Sequence, residues 1–205
     1  LYDYLHEKMY HYHVLQADET PVLVNKDGRS AGSKSFMWVY RTGRMYTDRQ
    51  IVLYEYQKTR NASHPREFLK DFKGICVTDG YQVYHTIENE REDLKISGCW
   101  SHARRRFDEA VKALPKAARN GSRAYLALSM IQAIYREEKL LKELPSEERK
   151  LRRQLSVRPL VEAYFTWAKE TIRKVPQKSK TWEGFQYSMN QEKYLKVFLD
   201  DGEVP

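Results

Sequence analysis

Two aspartates follow short apolar stretches of the sequence and are the first candidates for chemistry. Asp18 comes after residues 13–17, and Asp79 comes after residues 75–78. Each stretch is typical of a buried strand, and open sheets place ligand-binding groups where strands end. If the strands are neighbours, the two carboxylates converge, and a hard cation such as Mg²⁺, which prefers oxygen ligands, would relieve their repulsion. Two such metals activate an attacking oxygen and stabilise a leaving oxygen at a phosphodiester.

The same aspartates also fit ordinary turns, and their spacing leaves this alternative open. Asp79 precedes a glycine, which is a common turn pair, and Asp18 precedes a Glu-Thr-Pro sequence. An aspartate in either setting caps a turn by accepting a hydrogen bond from the backbone.

Cys99 and His102 form a Cys-x-x-His pair, a spacing that occurs in zinc sites. A structural zinc ion takes four ligands, and the sequence offers one further cysteine, Cys76, with scattered histidines. We therefore expect a packed cysteine and a histidine at the start of a helix.

Positive charge is concentrated in the second half of the sequence. Residues 101–180 hold 20 basic and 9 acidic residues, whereas residues 1–100 hold 14 of each, and the whole chain has a net charge of +8. A basic block is typical of nucleic-acid binding, although a solvated helical surface has the same composition. Arg104, Arg105 and Arg106 span about 200° of a helix, so we expect one or two of them to contact phosphates.

The elements that would position these residues alternate between strands and helices. Patterning predicts a helix over 1–10, strands over 13–17, 35–40 and 51–56, a turn over 26–30, a helix capped by Ser63 and ended by Gly74, and strands over 75–78 and 94–99. Helices follow over 101–114, 122–144 and 147–175, the last broken at Pro159, with one or two short helices over 181–199. This order predicts an α/β fold, a mixed sheet flanked by helices, with a helical insertion in the C-terminal half.

Composition excludes several classes of protein. Hydrophobic residues make up 41% of the 205 residues, enough for a packed core, and no apolar stretch approaches the ~20 residues that span a bilayer. Two cysteines exclude a disulfide scaffold and suit a reducing cytosol. Because the sequence starts at Leu1 and stops in a predicted turn, we expect a fragment of a longer protein, without membrane association.

An ordered set of short motifs resembles the catalytic region of insertion-sequence-sixty-six-type bacterial transposases. In chain order the motifs are DETP (18–21), WVY (38–40), HPREFL (64–69), GICVTDGY (74–81), GCWSHARRRF (98–107) and FLDDGEVP (198–205). The resemblance implies a ribonuclease-H-like fold with an Asp-Asp-Glu triad, in which Asp18 and Asp79 are catalytic ligands of Mg²⁺ or Mn²⁺. It also implies that Cys99 and His102 support the active site or DNA contact rather than zinc.

The third acid of the family pattern is expected beyond Pro205. In the family a glutamate follows an Asp-Asn-Asn segment, just past a stretch similar to residues 199–205. Three late glutamates are rejected as substitutes, because Glu183 and Glu192 precede that stretch on predicted helix surfaces and Glu203 lies in the turn itself. We therefore expect this chain alone to bind metal weakly and to be catalytically inactive.

The resemblance implies a DNA transposase that performs phosphodiester hydrolysis and strand transfer. Its partners would be the double-stranded DNA of transposon ends and target, together with further copies of itself, in the nucleoid-associated bacterial cytoplasm. Two alternatives stay open: a ribonuclease-H-like nuclease or resolvase without strand transfer, and a non-catalytic DNA-binding or assembly module derived from a transposase. The predicted domains are a catalytic core (1–114), the helical insertion (115–180), and helices returning toward the third acidic motif (181–205).

Overall fold

The computed structural model describes residues 1–24, 28–30 and 32–205, so the turn predicted over 26–30 lies partly outside the described residues. Two units are distinct. The sheet unit comprises residues 1–97 and 203–205, and the helical unit comprises residues 98–202. The helix that begins at Trp100 starts inside the helical unit.

Five strands form one mixed sheet in the order β3-β2-β1-β4-β5. They are β1 (Val14–Leu23), β2 (Lys34–Thr42), β3 (Val52–Gln57), β4 (Gly74–Thr78) and β5 (Leu94–Gly98). β1 pairs antiparallel with β2 and parallel with β4, and β2 pairs antiparallel with β3. The predicted α/β class is confirmed, and the strand order and directions fit a ribonuclease-H-like fold.

Three helices belong to the sheet unit: α1 (Tyr2–Met9), α2 (Ser63–Phe68) and α3 (Gln82–Asn89). The ring of Tyr40 in β2 stacks on Phe68 of α2 with centroids 3.5 Å apart, and both side chains are buried. On the other face of the sheet, Asp18 is paired with Val39, and Val39 with Tyr54. Because Tyr54 is 61% exposed, the face that carries Asp18 is open to solvent at β3.

The helical unit is built from seven α-helices among the residues described. They are α4 (Trp100–Ala113), α5 (Lys116–Arg119), α6 (Arg123–Leu141), α7 (Ser146–Arg152), α8 (Arg158–Thr171), α9 (Lys180–Asn190) and α10 (Glu192–Leu195). A π-helical turn (Arg153–Val157) joins α7 to α8, and 3-10 turns occupy Ile172–Lys174 and Val197–Asp200. Trp100 packs edge-on against Tyr164 and Phe198 in the core. Within the residues described, no helix has the length and apolar character needed to cross a bilayer.

The predicted end of β1 before Asp18 is wrong. The strand continues to Leu23 because its residues from Leu15 onward pair with β2. Pro21, which suggested a turn, is tolerated because β1 pairs with β4 over Val14 to Gln16, so Pro21 lies beyond this parallel pairing.

Three further details of the helix predictions are wrong. Ala62, not Ser63, caps α2, and the helix ends at Phe68. Gly74 instead begins β4 with φ +142°, at a point where a Cβ would collide with the carbonyl oxygen of His13. The long C-terminal helix breaks at the π-helical turn, and Pro159 lies in the first turn of α8, where its missing N–H costs nothing.

Candidate active site

Asp18 and Asp79 lie at the same level of two adjacent parallel strands. Gln16 of β1 is paired with Val77 of β4. Asp18 lies two residues beyond Gln16, inside β1, and Asp79 lies two residues beyond Val77, directly after β4. An equal offset from a paired position brings both carboxylates to one region of the sheet, because parallel strands advance at the same rise per residue.

Each carboxylate also accepts a hydrogen bond from the backbone nearby. Asp79 Oδ1 accepts from the Tyr81 N–H at 2.8 Å, and Asp18 Oδ1 accepts from the Glu19 N–H at 3.0 Å. Asp79 therefore does shape a turn, as the alternative interpretation expected, while its side chain stays 20% exposed. These bonds orient both carboxylates and use one oxygen of each.

Glu19 is a third carboxylate at this place, and the sequence interpretation missed it. Its side chain is 1% exposed. Burial and the neighbouring charge of Asp79 raise the pKa of Glu19, against the opposing hydrogen bond from Arg60. Alternation along a strand that continues past Asp18 would have pointed to Glu19, because it follows the inward-facing positions Leu15 and Ala17.

Arg60, from the segment between β3 and α2, was also missed. Its Nε donates to Glu19 Oε1 at 2.7 Å, and its Nη2 lies 3.5 Å from Asp79 Oδ2. The guanidinium lies over the Tyr81 ring, 3.8 Å from the centroid. No local motif marks this arginine, because it precedes α2 and meets the acids only through the tertiary fold.

The three predicted phosphate-contacting arginines are all exposed on α4, but their surroundings differ. Arg105 donates from Nη2 to His102 Nδ1 at 2.7 Å, and Arg106 lies over the Tyr187 ring, 4.3 Å from the centroid. Cys99 is a half-buried free thiol that caps α4 and accepts from the His102 N–H through its carbonyl oxygen. Cys99 and His102 therefore lie at a helix start, next to Arg105.

Part of the basic block is structural rather than surface charge. Arg153 is 1% exposed; it forms an ion pair with Glu138 and donates to the carbonyl oxygens of Phe198 and Asp201 at 2.8 and 2.7 Å. Arg149 is 6% exposed and donates to the carbonyl oxygen of Gly202 at 2.6 Å. Through these hydrogen bonds, the two arginines connect the last residues of the helical unit to α7 and the π-helical turn.

The sequence model of the family described as "Transposase IS66 family" matches residues 1–205 of the chain. The chain belongs to the IS66 transposase family. The uncharacterized protein y4qI of Sinorhizobium fredii (strain NBRC 101917 / NGR234) is 28% identical over 214 residues, which cover 100% of this chain and 39% of that protein. The uncharacterized protein y4jD of the same organism is 25% identical over 75% of this chain and 30% of its own length. The chain thus spans about two fifths or less of the length of these relatives.

In this IS66-family chain the late glutamates have other contacts. Glu203 accepts a hydrogen bond from the Tyr46 hydroxyl within the sheet unit, and Glu192 pairs with Lys169 and Lys196. Across residues 1–24, 28–30 and 32–205, no three His, Cys, Asp or Glu side chains form a group that could hold a metal ion. The oxygen donors of Asp18 and Asp79 nevertheless suit a hard divalent cation. Burial, and after it the neighbouring charge of Asp79, raises the pKa of Glu19 beside them.

Proposed function

We propose that this chain is the catalytic region of a DNA transposase, in which Asp18 and Asp79 hold Mg²⁺ or Mn²⁺. The observation that carries the proposal is the equal offset of both aspartates from the paired residues Gln16 and Val77 of adjacent parallel strands. Membership of the IS66 transposase family supports the same function. When bound, the cation would polarise the attacking and leaving oxygens of a phosphodiester.

The chain's own residues would orient the reaction rather than transfer protons. The backbone N–H groups of Glu19 and Tyr81 fix the rotamers of Asp18 and Asp79, so each carboxylate presents a set direction to a ligand. A glutamate beyond Pro205 is proposed to supply the third carboxylate. With two acids alone, coordination positions stay with water, and this chain binds the cation weakly and does not cleave DNA.

The proposed substrate is double-stranded DNA, at transposon ends and at the target. Arg104 and Arg105 on the exposed face of α4 would contact phosphates, which position DNA without reading its sequence. The hydrogen bond between His102 and Arg105 gives the Cys-x-x-His pair a supporting role at that surface. The full protein is proposed to act as a homo-oligomer in the bacterial cytoplasm, at the nucleoid.

The test is cleavage and joining of labelled transposon ends by the full-length protein. Asp18→Asn and Asp79→Asn should each reduce both steps at least 100-fold, while Asp48→Asn, which neutralises an exposed carboxylate, should leave them unchanged. Metal-dependent cleavage without joining would favour the nuclease or resolvase alternative. Full activity of either site variant would refute the assignment.

A further inference from the structure

Arg60 places a positive charge between Asp79 of the proposed metal site and the neighbouring carboxylate of Glu19. Its Nε and Nη2 both donate to Glu19 Oε1, the first at 2.7 Å. The same Nη2 lies 3.5 Å from Asp79 Oδ2. The guanidinium of Arg60 is therefore shared by Glu19 in β1 and Asp79 directly after β4.

The guanidinium is held at this position from two sides. It lies over the ring of Tyr81, 3.8 Å from the centroid, and the Tyr81 hydroxyl donates to the carbonyl oxygen of Arg60 at 2.8 Å. The Tyr81 N–H in turn donates to Asp79 Oδ1 at 2.8 Å. Tyr81 thus connects the backbone of Arg60, the charge of Arg60 and the carboxylate of Asp79.

Both carboxylate oxygens of Glu19 contact protein side chains rather than the proposed cation position. Oε1 accepts from Arg60, and Oε2 lies 3.4 Å from the Tyr84 hydroxyl. The side chain of Glu19 is 1% exposed. The backbone N–H of Glu19 donates to Asp18 Oδ1. Glu19 is therefore next to the proposed metal ligands in sequence, but its carboxylate oxygens are occupied by Arg60 and Tyr84.

We propose that Arg60 is a positioning residue that keeps Glu19 out of the coordination of the divalent cation. This inference rests on the proposed function, since it assumes that Asp18 and Asp79 bind the cation. Without the guanidinium, Glu19 is a buried carboxylate with no compensating charge, and a divalent cation beside it becomes its partner. The identity of the ligands, and not only the fold, therefore depends on Arg60.

The experiment is Mn²⁺ titration of the 205-residue chain, followed by electron paramagnetic resonance of free Mn²⁺ and by water-proton relaxation of the bound ion. Arg60→Gln should bind Mn²⁺ about fivefold more tightly and hold about one water fewer on the ion, because Glu19 replaces a water. Adding Glu19→Gln to Arg60→Gln should abolish the gain. Arg60→Lys, which keeps the charge, should stay within about twofold of the unchanged chain.

Two controls separate this effect from general loss of charge or fold. Arg66→Gln removes an exposed arginine that pairs with Glu90 and should not change Mn²⁺ binding. Glu19→Gln alone should also leave Mn²⁺ affinity within about twofold, and it tests the proposal even where Arg60→Gln does not fold. Weaker or unchanged binding by folded Arg60→Gln, a gain that survives Glu19→Gln, or a large loss in Glu19→Gln overturns the inference.

Asp18→Asn and Asp79→Asn distinguish this inference from the proposed function. If each weakens Mn²⁺ binding while Arg60→Gln has no effect, the metal site stands and the role of Arg60 is refuted. If neither changes Mn²⁺ binding, both the proposed site and the role of Arg60 are refuted.

Discussion

The two cysteines differ in burial and therefore in reactivity. Cys76 in β4 is fully buried, and burial raises the pKa of its thiol to about 12, whereas Cys99 is half-buried at the start of α4. Since the thiolate is the reactive form, at pH 8 one thiol should react rapidly with a disulfide reagent and the second only on unfolding. Cys99→Ser should remove the rapid phase, and its removal by Cys76→Ser instead would contradict the burial of β4.

Glu192 provides a test of pH dependence. Burial opposes its ionisation, but hydrogen bonds from Lys196 and Lys169 prevail and lower its pKa from the usual 4.5. A depressed pKa adds stability above the unfolded value and loses it as pH falls through the folded value. Glu192→Gln should therefore cost about 0.5 kcal/mol in unfolding free energy at pH 7, and the difference should shrink below pH 4.5. Urea denaturation at a series of pH values measures it, and a difference that grows in acid would contradict the ion pairs.

At the scale of elements, Gly74 fixes the approach of β4 to β1. Its φ is +142°, and an added Cβ would meet the carbonyl oxygen of His13, which accepts from the Ile75 N–H at 2.9 Å. Gly74→Ala should lower the unfolding free energy by about 3 kcal/mol, because the backbone of β1 or β4 must shift. Gly121→Ala, at φ +75° but in open space, should cost only about 1 kcal/mol. Equal losses would show that the collision with β1 is relieved cheaply.

Arg153 carries a comparable prediction for the helical unit. A substitution that breaks its buried ion pair with Glu138 also removes its hydrogen bonds to the carbonyl oxygens of Phe198 and Asp201. Arg153→Met should cost about 3 kcal/mol in unfolding free energy. The neighbouring Arg152→Met removes a charge from a 60% exposed side chain and should cost less than about 0.5 kcal/mol in the same denaturation experiment.

Sequence patterning predicted the elements of the sheet better than their limits. The apolar runs around Val14, Trp38 and Val77 marked the strands, because a buried strand must be apolar whatever its partners are. Asp18 was placed at a strand end because its continuation, with Thr20 and Pro21, is polar and turn-like. That segment is a strand only because β2 pairs with it, and such pairing is not visible locally.

The contacts of the candidate site illustrate the same limit. Arg60 and Glu19 are 41 positions apart, and nothing near either residue shows that they meet. Asp18 and Asp79 were predicted as site residues because each follows its own apolar run, and that assignment stays a prediction. The buried Arg149 and Arg153 were counted with the basic surface, since composition does not separate an exposed charge from a structural one.

For the whole molecule, the proposed DNA binding predicts a strong dependence on salt. Each phosphate contact releases condensed counterions, so the affinity for unrelated duplexes should fall steeply as salt rises. Replacing Arg104 and Arg105 by Gln should weaken binding to all sequences and reduce the slope of log affinity against log salt by about two. Replacing Arg66 and Lys70, exposed and paired with Glu90 and Glu67, removes the same charge and should leave the slope unchanged. Salt-insensitive binding would show that the basic block is a solvated surface.

The hydrogen bond from Tyr46 to Glu203 joins residues 157 positions apart, and both belong to the sheet unit. During synthesis, residues 1–97 leave the ribosome well before residues 203–205. The sheet unit therefore cannot be completed until the whole helical unit has been translated. Closing a flexible loop of that length costs about 4 kcal/mol in entropy. A helical unit that folds first, as it emerges, shortens the flexible connection and lowers this cost. The order of translation thus favours a helical unit that folds before the sheet unit is completed.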